Sequence, residues 1–201
     1  MENYLSIYGF RGFIKLIKDV LITKLFFHGC RLVRSPYYIK RKNRIKFGKG
    51  FTSGVGMRID VPYAKSANQT IIEIGENVQV NDYVHITAVN SVKIGNNVLI
   101  ASKVFITDHN HGGYNEEHTP QSHPDESPAD RPITFKGVTI EDNVWIGEFV
   151  SVLPGVTIGK GAIIGSMSVV SKNIPPDTIA VGSPARAIKK FNRQSGIWEK
   201  I

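Results

Sequence analysis

A six-residue repeat of branched aliphatic side chains is the strongest constraint on how this chain folds. Isoleucine or valine returns at every sixth position over residues 140–170, at Ile140, Ile146, Val152, Ile158, Ile164 and Val170. A helix with 3.6 residues per turn would rotate these positions to different faces. A coil with three short flat sides, each using six residues, would direct one side chain per side toward a common axis. The spacing therefore predicts a solenoid of short strands.

The same frame occurs upstream, with two interruptions. It is carried by two further sets of three residues, Ile74, Val80 and Ile86, then Ile94, Ile100 and Ile106. The step between the two sets is eight residues, which predicts a two-residue bulge near Asn90. The frame is then lost until residue 140. The segment 108–137 is polar and rich in histidine and proline, and long loops in compact domains are often functional.

A basic, amphipathic segment precedes the solenoid. Residues 9–28 carry apolar side chains mostly at three- or four-residue steps, which predicts a helix with basic residues on or beside its polar side. Twelve of the 25 Lys and Arg residues of this chain, whose net charge is +8, fall within residues 11–49 and are opposed by Asp19 alone. We expect the apolar stripe of the helix to cap the solenoid. The alternative is that it lies on a membrane surface.

These patterns predict one compact domain in three parts. A helical, basic N-terminal segment (1–44) precedes the solenoid (45–190), which contains the inserted loop 108–137, and a partly helical tail (191–201) follows. The chain has 201 residues and 41% hydrophobic content, enough for a real core.

The single cysteine, Cys30, excludes an internal disulfide. No stretch approaches the roughly 20 apolar residues of a membrane span. No cleavable signal peptide is recognisable. We expect a cytoplasmic location.

Three motifs in the repeat resemble those of the hexapeptide-repeat acyltransferases. They are residues 143–147 (NVWIG), 154–159 (PGVTIG) and 174–186 (IPPDTIAVGSPAR). The resemblance covers residues 72–190 and implies an all-β fold, a left-handed parallel β-helix, which is an exception to the usual right-handed crossover. Residues 47–56 (FGKGFTSGVG) and 106–112 (ITDHNHG) resemble the O-acetyltransferases of lipopolysaccharide O-antigen synthesis, so the likeness extends over nearly the whole chain.

Acetyl transfer from a thioester to a sugar hydroxyl requires a base, oxyanion donors and a coenzyme slot. Histidine suits the base because its unperturbed pKa lies near neutral pH. Similarity to the galactoside acetyltransferases implies that His109 is the general base and that Asn81 binds the acceptor. His85, Asp108 and His111 are assigned to the same acceptor site. Structural interpretations stay open for each, such as a corner asparagine with positive φ at residue 81.

The resemblance also implies a binding site for acetyl-CoA. Basic residues are needed there because coenzyme A carries several phosphate charges. The residues assigned to this site by the resemblance are Trp145, Gly147, Ser166, Lys172, Arg186 and Lys189. Glu148 departs from the small residue that relatives often have near the pantetheine arm. The resemblance further implies a homotrimer with sites between neighbouring subunits, and we expect neither a bound metal nor a nucleic-acid partner.

We therefore predict an acetyl-CoA-dependent O-acetyltransferase that transfers acetyl directly within a ternary complex. The acceptor would be a glycan, or a lipid-linked or nucleotide-linked sugar, modified at the cytoplasmic membrane face. One alternative is acetylation of a small amino sugar, amino acid or xenobiotic. A second is a zinc carbonic anhydrase of similar fold, with His85, His109 and His111 as metal ligands. A third is a non-enzymatic scaffold, which the histidine-rich loop argues against.

Overall fold

Short strands make up most of the protein. The computed structural model describes residues 4–63, 69–114 and 121–201. One helix, α1 (Tyr4–Phe26), opens the chain, and a 3-10 turn spans Lys42–Arg44. The strands in chain order are β1 (Leu32–Val33), β2 (Tyr37–Lys40), β3 (Ile45–Phe47), β4 (Thr52–Ser53), β5 (Met57–Asp60), β6 (Ile72–Ile74), β7 (Gln79–Val80), β8 (His85–Thr87), β9 (Val92–Ile94), β10 (Leu99–Ile100), β11 (Phe105–Thr107), β12 (His109–His111), β13 (Ile133–Phe135), β14 (Val138–Ile140), β15 (Trp145–Ile146), β16 (Ser151–Val152), β17 (Thr157–Ile158), β18 (Ile163–Ile164), β19 (Val169–Val170), β20 (Thr178–Gly182), β21 (Ala185–Asn192) and β22 (Ile197–Lys200).

The chain visits three parallel sheets in rotation, so each strand pairs with the strand one full coil away. Sheet A has the order β1-β4-β7-β10-β15-β18-β20 and is extended by the antiparallel strands β21 and β22. Sheet B has the order β2-β5-β8-β11-β16-β19, and sheet C the order β3-β6-β9-β14-β17. This order describes a coil with three flat sides. The prediction drawn from the six-residue spacing is confirmed in this respect.

The core is a stack of aliphatic side chains in register. In sheet C, Ile74 pairs with Ile94, which pairs with Ile140, which pairs with Ile158. All four are at most 3% exposed. Parallel strands place equivalent residues about 4.8 Å apart, so each coil buries its branched side chain against those of its neighbours.

The corners between sheets are tight turns that require special backbone conformations. At the corner between sheets C and A, Asn77, Asn97 and Asn143 have φ between 54° and 59°. Asparagine tolerates this left-handed region better than most residues. Gly75 begins one such corner, and a Cβ there would lie 2.5 Å from the carbonyl oxygen of Gly95 in the next coil. Only glycine lets the stacked corners approach so closely.

The N-terminal helix contacts the solenoid through Ile22, which packs against the core, and through two buried polar side chains. Asp19 and Thr23 are buried beneath it. The Thr23 hydroxyl oxygen accepts the N–H of Val33 at 2.8 Å, and Asp19 accepts hydrogen bonds from the N–H and hydroxyl of Ser35. The expectation that the apolar stripe caps the solenoid is wrong for most of its members, which are 46–71% exposed: Phe10, Ile14, Ile17, Leu21 and Leu25. Of the other two members, Phe13 is half-buried and Phe27, just after the helix, belongs to the core.

The element bounds differ from the sequence-based division of the chain in three places. Strands β1 and β2 already belong to sheets A and B, so pairing begins before residue 45. The inserted segment contains an antiparallel pair, β12 and β13, and its residues 115–120 lie outside the described part of the chain. The C-terminal residues form the β21–β22 hairpin instead of helix, because β21 extends sheet A and gives β22 an edge to pair with.

Helix α1 is interrupted at Gly9, whose φ of 64° and ψ of 171° are not helical. Among the described residues, no helix combines the length and hydropathy that crossing a membrane requires.

Candidate functional site

The turns from sheet B to sheet C, here called the B–C corner, hold the irregular parts of the coil. The predicted two-residue bulge lies at this corner, between β8 and β9. The inserted segment 108–137 leaves and rejoins the coil at the same corner, between β11 and β14. The bulge and the base of the insertion are therefore adjacent in space, although about 20 residues separate them in sequence.

Asp108 joins these two features. Its side chain is fully buried, and its carboxylate accepts the backbone N–H groups of Val89, Asn90 and Ser91 at 2.7–2.9 Å. The His109 ring contacts the same carboxylate, with 2.9 Å between Nδ1 and Oδ1. Burial by itself raises the pKa of Asp108, but these hydrogen bonds outweigh it, so the pKa lies below its ordinary value. The bulge thus holds a carboxylate in its ionised form.

This contact orients the His109 imidazole. Because Nδ1 donates to an ionised carboxylate, the neutral ring carries its lone pair on Nε2. The side chain is 12% exposed, and no described residue forms a hydrogen bond with Nε2. An imidazole held by a carboxylate on one nitrogen and open on the other is the arrangement of a general base.

His111 lacks such support. It lies two residues further along β12, is exposed, and has no carboxylate partner among the described residues. Its backbone carbonyl accepts a hydrogen bond from the hydroxyl of Tyr114. Of the two histidines in the loop motif, His109 is the one whose ring is oriented.

His85 lies on the outer surface of sheet B in a cluster that sequence reasoning missed. Its Nε2 is 3.0 Å from Oδ2 of Asp60, which also accepts a hydrogen bond from Nε of Arg58 at 2.8 Å. The His85 ring packs against Phe105, with 5.2 Å between centroids. Asp60 pairs in register with Thr87, which pairs with Thr107, so the cluster and His109 share one edge of sheet B. The sequence alone does not indicate Asp60 as a site residue, because its position beside His85 follows from this strand pairing.

The three histidines considered as zinc ligands do not form a common set. His85 contacts Asp60 and His109 contacts Asp108, while His111 is on the exposed hairpin. In residues 4–63, 69–114 and 121–201, no group of three or more His, Cys, Asp or Glu side chains is placed to hold a metal ion. The described side chains therefore offer no donor set for the carbonic anhydrase alternative.

Asn81 lies at a different corner, between sheets A and B. Its side-chain oxygen accepts a hydrogen bond from Nε2 of Gln79 at 3.2 Å. It borders a cavity of about 360 Å³ together with Arg34, Thr52 and Ser102. Since this A–B corner precedes the strands of sheet B and the B–C corner follows them, Asn81 and His109 lie at opposite edges of that sheet. One chain does not bring them together.

The residues assigned to the coenzyme are divided between the same two corners and the C-terminal strands. Gly147 and Ser166 stack at the A–B corner, where a Cβ on Gly147 would lie 2.7 Å from the backbone nitrogen of Ser166. Trp145 precedes them on sheet A and is 50% exposed. Lys172 lies exposed at the B–C corner, after β19. Arg186 and Lys189 are exposed cations of β21.

The chain matches the family of bacterial transferase hexapeptide proteins (six repeats) over residues 137–172. It is 48% identical over 193 residues to WbbJ of Escherichia coli (strain K12), whose assigned role is lipopolysaccharide biosynthesis O-acetyl transferase. That match covers 96% of this chain and 95% of WbbJ. The galactoside O-acetyltransferase of the same organism is 39% identical over 121 residues, covering 60% of this chain and 55% of that protein.

Two solved structures share the fold. AntD, an N-acyltransferase from Bacillus cereus in complex with dTDP and 3-hydroxybutyryl-CoA, superposes with a TM-score of 0.68 at 19% identity over 87% of this chain and 89% of AntD. A galactoside acetyltransferase in complex with coenzyme A superposes with a TM-score of 0.51 at 34% identity over 72% of this chain and 68% of that one. The chain belongs to the hexapeptide-repeat acyltransferases, and it is an acetyltransferase of that family.

Proposed function

We propose that this protein transfers the acetyl group of acetyl-CoA to a sugar hydroxyl during synthesis of a bacterial lipopolysaccharide O-antigen. The observation that carries the proposal is the Asp108–His109 pair, an oriented imidazole with an open Nε2. End-to-end similarity to WbbJ supports the reaction class and the kind of glycan. We further propose that the three-sided coil is left-handed, as the family resemblance implies.

The His109 Nε2 takes the proton of the acceptor hydroxyl as its oxygen attacks the thioester carbonyl. A C–O bond forms, the C–S bond breaks, and the proton passes from the imidazolium to the leaving thiolate. The Asp108 carboxylate stabilises the imidazolium between these steps. General base catalysis of this kind contributes ~10²–10⁴-fold to the rate.

Acetyl-CoA is proposed to bind across the A–B corner and the C-terminal strands. The backbones of Gly147 and Ser166 approach closely, and because Gly147 has no side chain this surface is free to contact the pantetheine arm. The exposed Trp145 ring offers an apolar surface beside it. The exposed cations Arg186 and Lys189 suit the phosphate end of the coenzyme. Lys172 is proposed to meet the coenzyme of a neighbouring subunit, because it lies at the other corner.

A homotrimer is proposed as the active form. His109 and Lys172 lie at the B–C corner, whereas Asn81, Gly147 and Ser166 lie at the A–B corner. A cleft between two neighbouring prisms can bring one corner of each together, which a single prism cannot do. Cyclic association of three copies would create three equivalent clefts.

Association with the inner face of the cytoplasmic membrane is also proposed. The outer face of α1 presents five exposed apolar side chains, flanked by the exposed cations Arg11, Lys15, Lys18 and Lys24. The one acid of the described helix, Asp19, is buried. An amphipathic helix with a basic border binds the interface of anionic membranes.

Replacement of His109 tests the mechanism. In cells that lack the gene, complementation with the His109→Ala variant should leave the surface glycan without its acetyl groups, whereas the His111→Ala variant should retain them. Mass spectrometry of the glycan and thiol release from acetyl-CoA by purified protein report the result. Full acetylation by folded His109→Ala protein would remove His109 from the mechanism. If the His111→Ala variant alone lost activity, the base would be reassigned to that residue.

A further inference from the structure

We infer that the acceptor sugar is carried on a phosphorylated isoprenoid chain, and that this chain lies in the groove between α1 and sheet A. The inference rests on the proposed function and deepens it, because it selects the lipid-linked acceptor over the nucleotide-linked one. Three adjoining surfaces carry it: an apolar groove, a pair of arginines and the cavity that contains Asn81.

The groove has a volume of about 520 Å³ and a predominantly apolar lining. One wall is a flank of α1 distinct from the face that contacts the solenoid, and the other is formed by the first strands of sheet A. The aliphatic and phenylalanine side chains that line it are Phe13, Leu16, Ile17, Val20, Leu21 and Leu32. These side chains offer no hydrogen bonds, so the groove suits a hydrocarbon chain and not the base or ribose of a nucleotide.

Two arginines, Arg31 and Arg34, border the groove where it meets sheet A. Nη2 of Arg34 donates to the hydroxyl of Tyr8 at 3.1 Å, and its guanidinium lies 5.6 Å from the centroid of that ring. Neither arginine forms an ion pair with a carboxylate of the described residues. The nearby Asp19 carboxylate is occupied by Ser35. Within the described parts of the chain the pair is therefore a positive site without a counter-ion, and arginine is well suited to bind phosphate.

Arg34 also borders the polar cavity that contains Asn81, Gln79 and Ser102. An apolar groove, a pair of arginines and a cavity with amide and hydroxyl groups thus follow one another along the surface. This is the order of a hydrocarbon chain, a phosphate and a sugar in a lipid-linked glycan. The groove and the arginines thus match, in both charge and polarity, an isoprenoid phosphate that carries a sugar.

Binding of geranylgeranyl phosphate, below its micellar concentration, tests the inference. We expect saturable binding that weakens at least about tenfold in the Leu16→Gln and Arg34→Gln variants. The matched controls Ile197→Gln and Lys200→Gln replace an exposed apolar residue and an exposed cation of the C-terminal hairpin, away from the groove, and should bind as the unmodified protein does. Geranylgeraniol and inorganic phosphate should each bind far more weakly than the combined molecule.

A photoreactive analogue of the same probe locates the site. Cross-links should map by mass spectrometry to residues 13–20 and 31–34. Cross-links confined to Phe10, Ile14 and Leu25, equal weakening in all four variants, or equal binding of the alcohol would overturn the inference.

The lipid-binding inference and the proposed acetyltransferase mechanism can fail independently of each other. The His109→Ala variant should bind the probe normally while losing acetyl transfer. If the Leu16→Gln and Arg34→Gln variants lost probe binding but acetylated the glycan fully in cells, the lipid inference would fail and the acetyltransferase would stand. If His109→Ala protein kept full activity while probe binding followed the expected pattern, the proposed mechanism would fail instead.

Discussion

At the scale of single residues, the candidate site depends on one buried carboxylate. Asp108 receives three backbone N–H groups from the bulge and one contact from the His109 ring. The same interactions that lower its pKa hold the bulge and the base of the inserted segment together. Asp108 therefore positions the imidazole and stabilises the fold at once.

Replacing Asp108 by Asn should show both roles. In the unmodified protein, three backbone N–H groups donate to the carboxylate oxygens of Asp108. In the variant, the amide NH₂ would replace one of these oxygens and leave a buried N–H without an acceptor, which costs about 1–3 kcal/mol. Because the folded pKa of Asp108 is lowered, the unfolded chain binds more protons between the folded and unfolded pKa values. The carboxylate's contribution to stability is thus full above the unfolded pKa, about 4, and is lost as the pH falls through the folded value.

We expect the variant to unfold at lower temperature than the unmodified protein at pH 7, and this difference to shrink as the pH falls below about 4. Thermal unfolding followed by circular dichroism over a pH series measures it. The control Asp125→Asn changes a carboxylate whose side chain is 92% exposed and should follow the unmodified protein throughout. A difference that stayed constant from pH 7 to pH 3 would contradict the assignment.

At the scale of elements, α1 inverts the usual orientation of an amphipathic helix. Its buried contacts use Asp19 and Thr23, which satisfy backbone and hydroxyl groups at the start of the solenoid. Most of its apolar stripe is left exposed, which is the kind of surface that the proposed membrane association requires. The polar contacts hold the helix against the solenoid without burying most of the apolar stripe.

Exchanging two apolar residues of this stripe should release the protein from membranes. The double substitution Phe10→Ser and Ile14→Ser removes apolar area worth roughly 1.5–3 kcal/mol per side chain when fully buried. We expect co-sedimentation with vesicles containing anionic lipid to fall at least about tenfold. The control exchanges Ile188 and Ile197 for Ser, residues that are 40% and 58% exposed at the other end of the chain. Equal loss in both proteins would refute a specific role for the helix.

At the scale of the whole molecule, the prism separates two residues to which the proposed reaction assigns roles. His109 and Asn81 lie at opposite edges of sheet B, and the coil is rigid because every strand of the core stack is paired on both sides except at its ends. A hinge within the chain cannot bring the two edges together. We propose that another copy of the chain supplies the missing edge.

Mixing two inactive variants tests this arrangement. Subunits with Asn81→Ala and subunits with His109→Ala, co-expressed in equal amounts, should recover about a quarter of the activity, because random assembly leaves about one cleft in four with both residues intact. Each variant alone should be nearly inactive. No recovery in mixed trimers would show that both residues act within one chain. Full activity of the Asn81→Ala variant alone would remove Asn81 from the acceptor site.

Much of the fold and part of the site could be predicted from local sequence. The period of Ile140, Ile146 and Val152 follows directly from the geometry of one coil, and so does the bulge near Asn90. The Asp108 and His109 pair is also adjacent in sequence, so a motif reveals it. The contacts of Asp60 with His85 depend on strand register across an interrupted coil, for which the sequence has no regular spacing.

By itself, the sequence determined a three-sided coil of aliphatic residues and a histidine-bearing insertion, since a fixed period leaves one way to bury every sixth side chain. The tertiary structure alone decided which face of α1 turns inward, which corner each turn occupies, and that the bulge supplies the donors for Asp108. These depend on contacts between residues far apart in the chain, whose energies arise only once neighbouring coils are stacked in register.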